Sequence, residues 1–314
     1  MWKYVLKRIT LLIPTLLIIT FIVLFIMELT PGSPGQLILG DRATKEAIAQ
    51  KNRELGYDQP FLVRYVRYIW DAARGNLGTS WSSGRPVLAE IMTRFPTTLT
   101  LATGAVIIGI LVGIPLGIIS AVKQYSVVDY VGTTFAMFLA SFPPFWIGMM
   151  LIILFALRLG WLPSFGATSL KSFILPWITT ACAFIASQLR MTRTSMLEAI
   201  RMDYVRTARA KGQLERKVIV DHALNNALLP VVTLMGIEFG GLMGGTVTVE
   251  TVFSLPGIGS LIIEAIRLKD VPMVVGATIT LATLFTLLMI AVDILYAFID
   301  PRIKARYVSV RSKA

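Results

Sequence analysis

Two carboxylates stand where carboxylates are costly. Glu238 lies within GIEFGGLMGG and Asp293 within AVDILYAF, each inside an apolar run long enough to cross a lipid bilayer. An ionisable group at that depth lines a pathway, relays protons, or is satisfied inside a helix bundle. The first two are transport chemistry. Residues for other chemistries are scarce. His222 is the single histidine and Cys182 the single cysteine. That rules out a zinc site built from several such ligands and any constellation needing two histidines. Cys182 sits in an apolar run and reads as a small buried residue. No Gly-x-x-x-x-Gly-Lys-Ser/Thr run occurs, so the chain carries no P-loop of its own. No catalytic residue and no metal ligand is expected.

A third feature is the segment DYVRTARAKG, residues 203–212. It reads as a short helix with Asp203 as N-cap, Lys211 in the last turn beside the negative end of the dipole, and Gly212 as a left-handed stop. Arg206 and Arg209 share one side; Tyr204, Thr207, Ala208 and Lys211 share another. Ala208, Ala210 and Gly212 are small enough to let another backbone come close. A helix of about eight residues is marginal alone in water, so this one should need a seat. Attraction of a basic loop to anionic lipid is the plainer reading. The cap and the small residues exceed what that would need.

The surrounding elements are membrane spans. Charged residues make up 15% of the 314-residue chain and hydrophobic ones 55%, whereas a soluble domain carries about 25% charged residues. Six apolar runs have spanning length: Ile9–Met27, Leu99–Val122, Val131–Leu157, Phe173–Leu189, Ala227–Val249 and Val274–Phe298. The fourth is the shortest. The first follows a basic start but is longer than a signal-peptide core and lacks a cleavage site, so it reads as a retained helix. No period-two alternation supports a β-barrel. The expected fold is an all-α polytopic membrane protein with six spans.

Charge placement orients it. With the N-terminus inside, inner segments hold seventeen Lys/Arg and the short outer loops four: Arg158, Lys171, Arg267 and Lys269. Both termini are then cytoplasmic, and the loop 190–226 between spans four and five is cytoplasmic too. The net charge of +12 follows this bias, so the expected partner is the lipid bilayer, with no nucleic acid. The expected organisation is an N-terminal helix (1–29), an extracytoplasmic segment (30–97), a five-span core (98–301) and a basic cytoplasmic tail (302–314). Within 30–97, the run QPFLVRYVRYIWDAAR places Phe61, Leu62, Tyr65, Ile69 and Trp70 on one helical face. That face either packs on the helix ends or docks an external partner.

Ala208-x-x-x-Gly212 within TARAKG, followed by HALNNALLP at 222–230, resembles the cytoplasmic signature loop of ABC importer permeases. That signature is Glu-Ala-Ala, three residues, then Gly. In the Gly212 register only Ala208 and Gly212 match. Glu198-Ala199-Ile200 matches the triplet better, but Tyr204 stands where the glycine belongs, so the Gly212 register is preferred. The variant is similar to the dipeptide/oligopeptide/nickel branch. RMTRTSMLEAI (190–200), TVFSLPGIGSLIIEAI (251–266) and LTPGSPG (29–35) agree.

The resemblance implies a subunit of an ATP-driven importer in a bacterial or archaeal cytoplasmic membrane. Implied partners are a homologous second permease, two cytoplasmic ABC ATPase subunits that bind the ATP and Mg, and an extracytoplasmic substrate-binding protein. No cofactor is expected in this chain. Residues 204–211 would be the coupling helix. Implied cargo is di- or oligopeptides, with nickel or metal chelates, glutathione or oligosaccharides as alternatives. The rivals from the residues alone are an ion-coupled secondary transporter using Glu238 or Asp293, and a membrane scaffold without transport.

Overall fold

The computed structural model describes residues 2–30, 32–40 and 42–299. The basic tail 302–314 lies outside the described residues. Among these residues there is no strand, only an isolated bridge between Thr79 and Pro86. The helices are α1 (Trp2–Leu29), α2 (Pro34–Leu39), α3 (Lys45–Glu54), α4 (Phe61–Ala73), α5 (Val87–Val122), α6 (Val127–Ser141), α7 (Pro144–Leu151), α8 (Lys171–Ile200), α9 (Asp203–Ala210), α10 (Glu215–Lys217), α11 (Asn225–Gly245), α12 (Val247–Val252), α13 (Ile258–Arg267) and α14 (Val271–Ile299). Two π-helical stretches, Ile152–Arg158 and Val218–Leu224, continue α7 and lead into α11.

Among the described residues, five helices are long and apolar enough to cross a membrane. The third expected span differs. Its two halves, Val127–Ser141 and Pro144–Arg158, meet at an angle of 98°. The cause is local: Pro143 and Pro144 follow Phe142, which a proline pushes toward extended backbone, and Phe142 has φ −87° and ψ 138°. The seventeen-residue fourth run becomes the 30-residue α8. It is also the most enclosed span, with 67% of its apolar window buried inside the chain. Its neighbours are protein rather than lipid, so Thr179, Thr180, Gln188, Thr192 and Ser195 can all be buried there.

The α5–α8 pair is the centre of the bundle. Gly104, Gly109, Gly113 and Gly117 of α5 face Trp177, Phe184, Gln188 and Thr192 of α8 in register. A Cβ at Gly109 would stand 1.9 Å from the Phe184 ring, and one at Gly117 would stand 2.8 Å from the Leu189 carbonyl. Small residues recurring every four or five positions along one face let helices approach closely where lipid supplies no hydrophobic drive. On α11, Gly236 and Gly240 admit Val292 and Phe285 of α14, whereas Gly241 and Gly244 face open space.

Residues 30–97 bind the turn between α13 and α14. The Lys269 ammonium donates to the carbonyls of Thr30 (2.6 Å) and Gly32, just past the end of α1. A cation there suits the negative end of the helix dipole. Burial pushes the Lys269 pKa below the usual lysine range, with the nearby Glu28 carboxylate opposing. Asp270 is buried and caps α14 by accepting from Met273 N (3.2 Å). It also accepts from Ser80 Oγ (2.5 Å), Ser82 N (3.1 Å) and Ser82 Oγ (2.8 Å). Asp270→Ala therefore removes a cap worth about 1 kcal/mol and takes the acceptor from the buried Ser80 hydroxyl. Its expected result is faster limited proteolysis within 76–86 while the spans stay protected; Asp270→Asn retains most protection.

The expected single face of α4 divides in two. Phe61 and Tyr65 pack edge-on against Phe21 of α1, and Tyr65 Oη donates to the Leu17 carbonyl at 3.1 Å. Ile69 is partly buried. Leu62, Val66 and Trp70 face outward. The apolar residues cover more than one arc of the helix, which a periodicity that pools them does not show.

Candidate functional site

α9 begins immediately after α8, with only Arg201 and Met202 between them. Its two inward residues are Val205, fully buried, and Ala208, 5% exposed. They pack with Met196 and Ala199 of α8, Val218, Ile219 and Ala223 of the π-helical stretch, and Ala121 at the end of α5. The rest of α9 is exposed: Tyr204, Arg206, Thr207, Arg209 and Ala210, with Lys211 and Leu214 beyond. The short helix thus has a seat within its own chain and still presents most of its surface outward.

Two expectations are corrected here. Asp203 is the first residue of α9, and the N-cap is Met202, which offers no side-chain acceptor. Asp203 contributes a favourable charge in the first turn and lies 3.7 Å from Arg206, both exposed to solvent. Such a pair adds little. Ala208 does not share an outward side with Tyr204 and Thr207. It faces the chain's own core, so the close backbone approach it permits is to α8 and the π-helical stretch.

The C-terminal stop is as expected. Gly212 has φ +74°, Gly212 N donates to the Arg209 carbonyl (2.9 Å) and Gln213 N to the Ala208 carbonyl (3.4 Å). These are the two bonds of a Schellman closure, for which a residue at positive φ is needed. Tyr204, which would occupy the glycine position in the Glu198 register, lies inside α9. Beyond the stop, Arg209 grips Glu215 with Nε–Oε2 3.1 Å and Nη2–Oε1 2.6 Å. His222 meets Gln213 Oε1 at 2.8 Å, an ordinary loop contact.

Beside this seat is an ion pair that sequence reasoning missed. Asp129, at the start of α6, is 2% exposed. Arg193 of α8 donates to it from Nε (2.7 Å) and Nη2 (2.8 Å), Tyr125 N donates at 3.0 Å, and Ser120 Oγ also donates to it. The bidentate geometry fixes the α5–α6 corner to α8 ten positions before α9. The only sequence signal was an aspartate in the first turn of an apolar helix.

Glu238 of α11 accepts from Gln188 Nε2 of α8 at 3.3 Å. Gln188 is fully buried, and its Oε1 has no partner, nor does Thr192 Oγ1 one turn away. The side chain of Asp293 lies outside the described residues. A second missed carboxylate, Glu250, is fully buried. It accepts from Thr98 Oγ1 (2.8 Å), Thr246 Oγ1 (2.9 Å) and Ser260 N (2.8 Å), while Thr98 Oγ1 accepts from Ile258 N (2.8 Å). The carboxylate sits at the N-terminus of α13, where a negative charge is favoured. A Cβ at Gly257 would collide with it at 2.2 Å.

The chain matches two family models: residues 113–305 the binding-protein-dependent transport system inner membrane component, and residues 1–102 the N-terminal part of such components. It is 43% identical over 304 residues to a glutathione transport system permease protein of Salmonella paratyphi A, covering 97% of this chain and 99% of the relative. It is 41% identical to a dipeptide transport system permease protein of Alkalihalophilus pseudofirmus, covering 97% and 100%. Among solved structures, an inward-facing methionine ABC transporter matches with a TM-score of 0.58 at 17% identity, over 68% of this chain and 97% of that one. An amino acid ABC transporter matches with a TM-score of 0.51 at 15% identity, over 68% and 94%. These two show the fold. Matched along almost its whole length, the chain belongs to the binding-protein-dependent transport system inner membrane components, the permease subunits of ABC importers.

Proposed function

We propose that this chain forms half of the translocation path of an importer for di- or oligopeptides, including glutathione-like peptides, beside a homologous second permease. α9 is the coupling helix, seated outward in a groove of a cytoplasmic ABC ATPase. The observation that carries this is α9 itself: closed by Gly212, held inward by Val205 and Ala208 alone, exposed on its other faces. The excess of Lys and Arg at this end puts it in the cytoplasm, with both termini on that side and residues 30–97 outside, facing the substrate-binding protein. ATP and Mg²⁺ are bound by the ATPase subunits, and this chain supplies no nucleotide site. Closure of those subunits moves α9, and through α8 the spans. The names of the glutathione and dipeptide permeases support the cargo class.

The test is uptake by proteoliposomes holding the chain with its genetically linked partners. Peptide uptake is expected to need ATP and to fall to background when the ATPase subunits are inactivated. Uptake that survives inactivation but collapses with a protonophore would overturn this reading and return Glu238 to an ion-coupled role.

A further inference from the structure

Two cavities lie side by side at the end of the molecule carrying residues 30–97. One, of about 480 Å³, lies between α5, α13 and the turn that joins α12 to α13. The other, of about 300 Å³, lies between α5, α13 and the serine turn at 80–83. Arg94, Glu264 and Leu268 line both, so the two form one groove. Its size is that of a small-molecule site.

Half of the charged residues in its wall are already partnered. Arg85 pairs with Glu90 at 3.3 Å, and Glu250 is saturated by Thr98, Thr246 and Ser260. Arg94, Glu264 and Arg267 differ. None has an ion-pair or hydrogen-bond partner among the described residues. Arg94 projects from α5 and Glu264 from the facing α13 into the same space without reaching each other, and Arg267, three residues on from Glu264, adds a second cation to the lining of the 480 Å³ cavity. Arg94 is also half-buried, so part of its hydration is lost without a protein group replacing it. A guanidinium is a planar receptor for a carboxylate, and a free carboxylate is a receptor for an ammonium.

We propose that this groove holds a short zwitterionic peptide, its terminal carboxylate on Arg94 and its terminal ammonium on Glu264. The inference deepens, and rests on, the peptide-import reading above. It makes the groove a way-station between the external binding protein and the spans. A partner-protein surface of one sign would satisfy one of these residues and repel the other. A zwitterion satisfies both.

The experiment uses the intact transporter in nanodiscs, without the external binding protein and without ATP. The probes are alanyl-phenylalanine, its C-terminal amide and its N-acetyl derivative. Arg94→Gln is expected to weaken the free dipeptide about tenfold and to leave the amide unchanged. Glu264→Gln does the same for the free dipeptide and leaves the N-acetyl form unchanged. Arg94→Lys, which keeps the charge, retains part of the affinity and guards against misfolding as the cause.

Three results overturn the proposal. The first is equal binding of all three probes by the wild type. The second is wild-type binding of the free dipeptide by both variants. The third, with the external binding protein added back, is a shift only in that protein's half-saturating concentration, which makes the groove a protein-docking surface. ATP-driven uptake by proteoliposomes holding the same transporter with its external binding protein separates the two levels. Peptide uptake with no groove binding overturns the groove alone, and no peptide uptake overturns the import reading itself.

Discussion

Ala208→Trp is expected to leave the spans inserted but to release the ATPase subunits and abolish transport. Ala208 is 5% exposed and meets the packed residues Met196, Ala199, Val218 and Ala223. An indole cannot be accommodated there, and overpacking costs about 1–3 kcal/mol. α9 has eight residues, and a free helix shorter than about 12–15 residues is marginal in water. Its seat is therefore what keeps it helical. Ala210→Trp gives the contrast, since Ala210 is exposed. It should also weaken ATPase association, but without lowering the thermal stability of the isolated chain. The measurements are co-purification, uptake and the melting temperature of each variant. Wild-type association and transport in Ala208→Trp would sink the assignment of α9.

Arg193→Ala is expected to have the largest effect on stability. The substitution leaves Asp129 buried with its two best donors gone. Removing one partner of a buried pair costs about 3–5 kcal/mol. For a chain of this size that corresponds to a fall in melting temperature on the order of 10 °C. The double variant Asp129→Ala/Arg193→Met should recover much of the loss, because it removes the stranded charge along with its partner. A double variant as unstable as the single one would show that the ion pair is not the cause. Uptake should remain impaired even in the stable double variant, because the α5–α6 corner is then no longer tied to α8 next to α9.

The spans, the short helix at 203–210 and its glycine stop were legible in the sequence because each rests on a local rule: hydropathic length, cap chemistry and the left-handed tolerance of glycine. The errors fall where tertiary contacts decide. Nothing local shows that Ala208 turns inward while its neighbour Thr207 turns outward. Asp203 has the chemistry of an N-cap, but α8 ends so close before it that the cap position falls on Met202. The third run looked continuous because its apolar count ignores Pro143 and Pro144. α8 looked weakest because its polar residues lowered its hydropathy, although those residues are buried within the bundle, Gln188 and Thr192 against α5. Asp129 and Arg193 are separated by 64 positions, so no local pattern could join them.

The four-glycine contact between α5 and α8 has a mechanical consequence. α8 is a single rod of 30 residues, about 45 Å at the usual helical rise. Its steric clamp lies along the middle, at Trp177 through Thr192, where α5 offers glycines and no side chains to give way. Such a contact acts as a fulcrum. A tilt of about 10° about it moves each tip of a 45 Å rod by about 4 Å in opposite directions. α8 thereby becomes a first-class lever, with α9 hung on one arm and the threshold of the opposite face on the other.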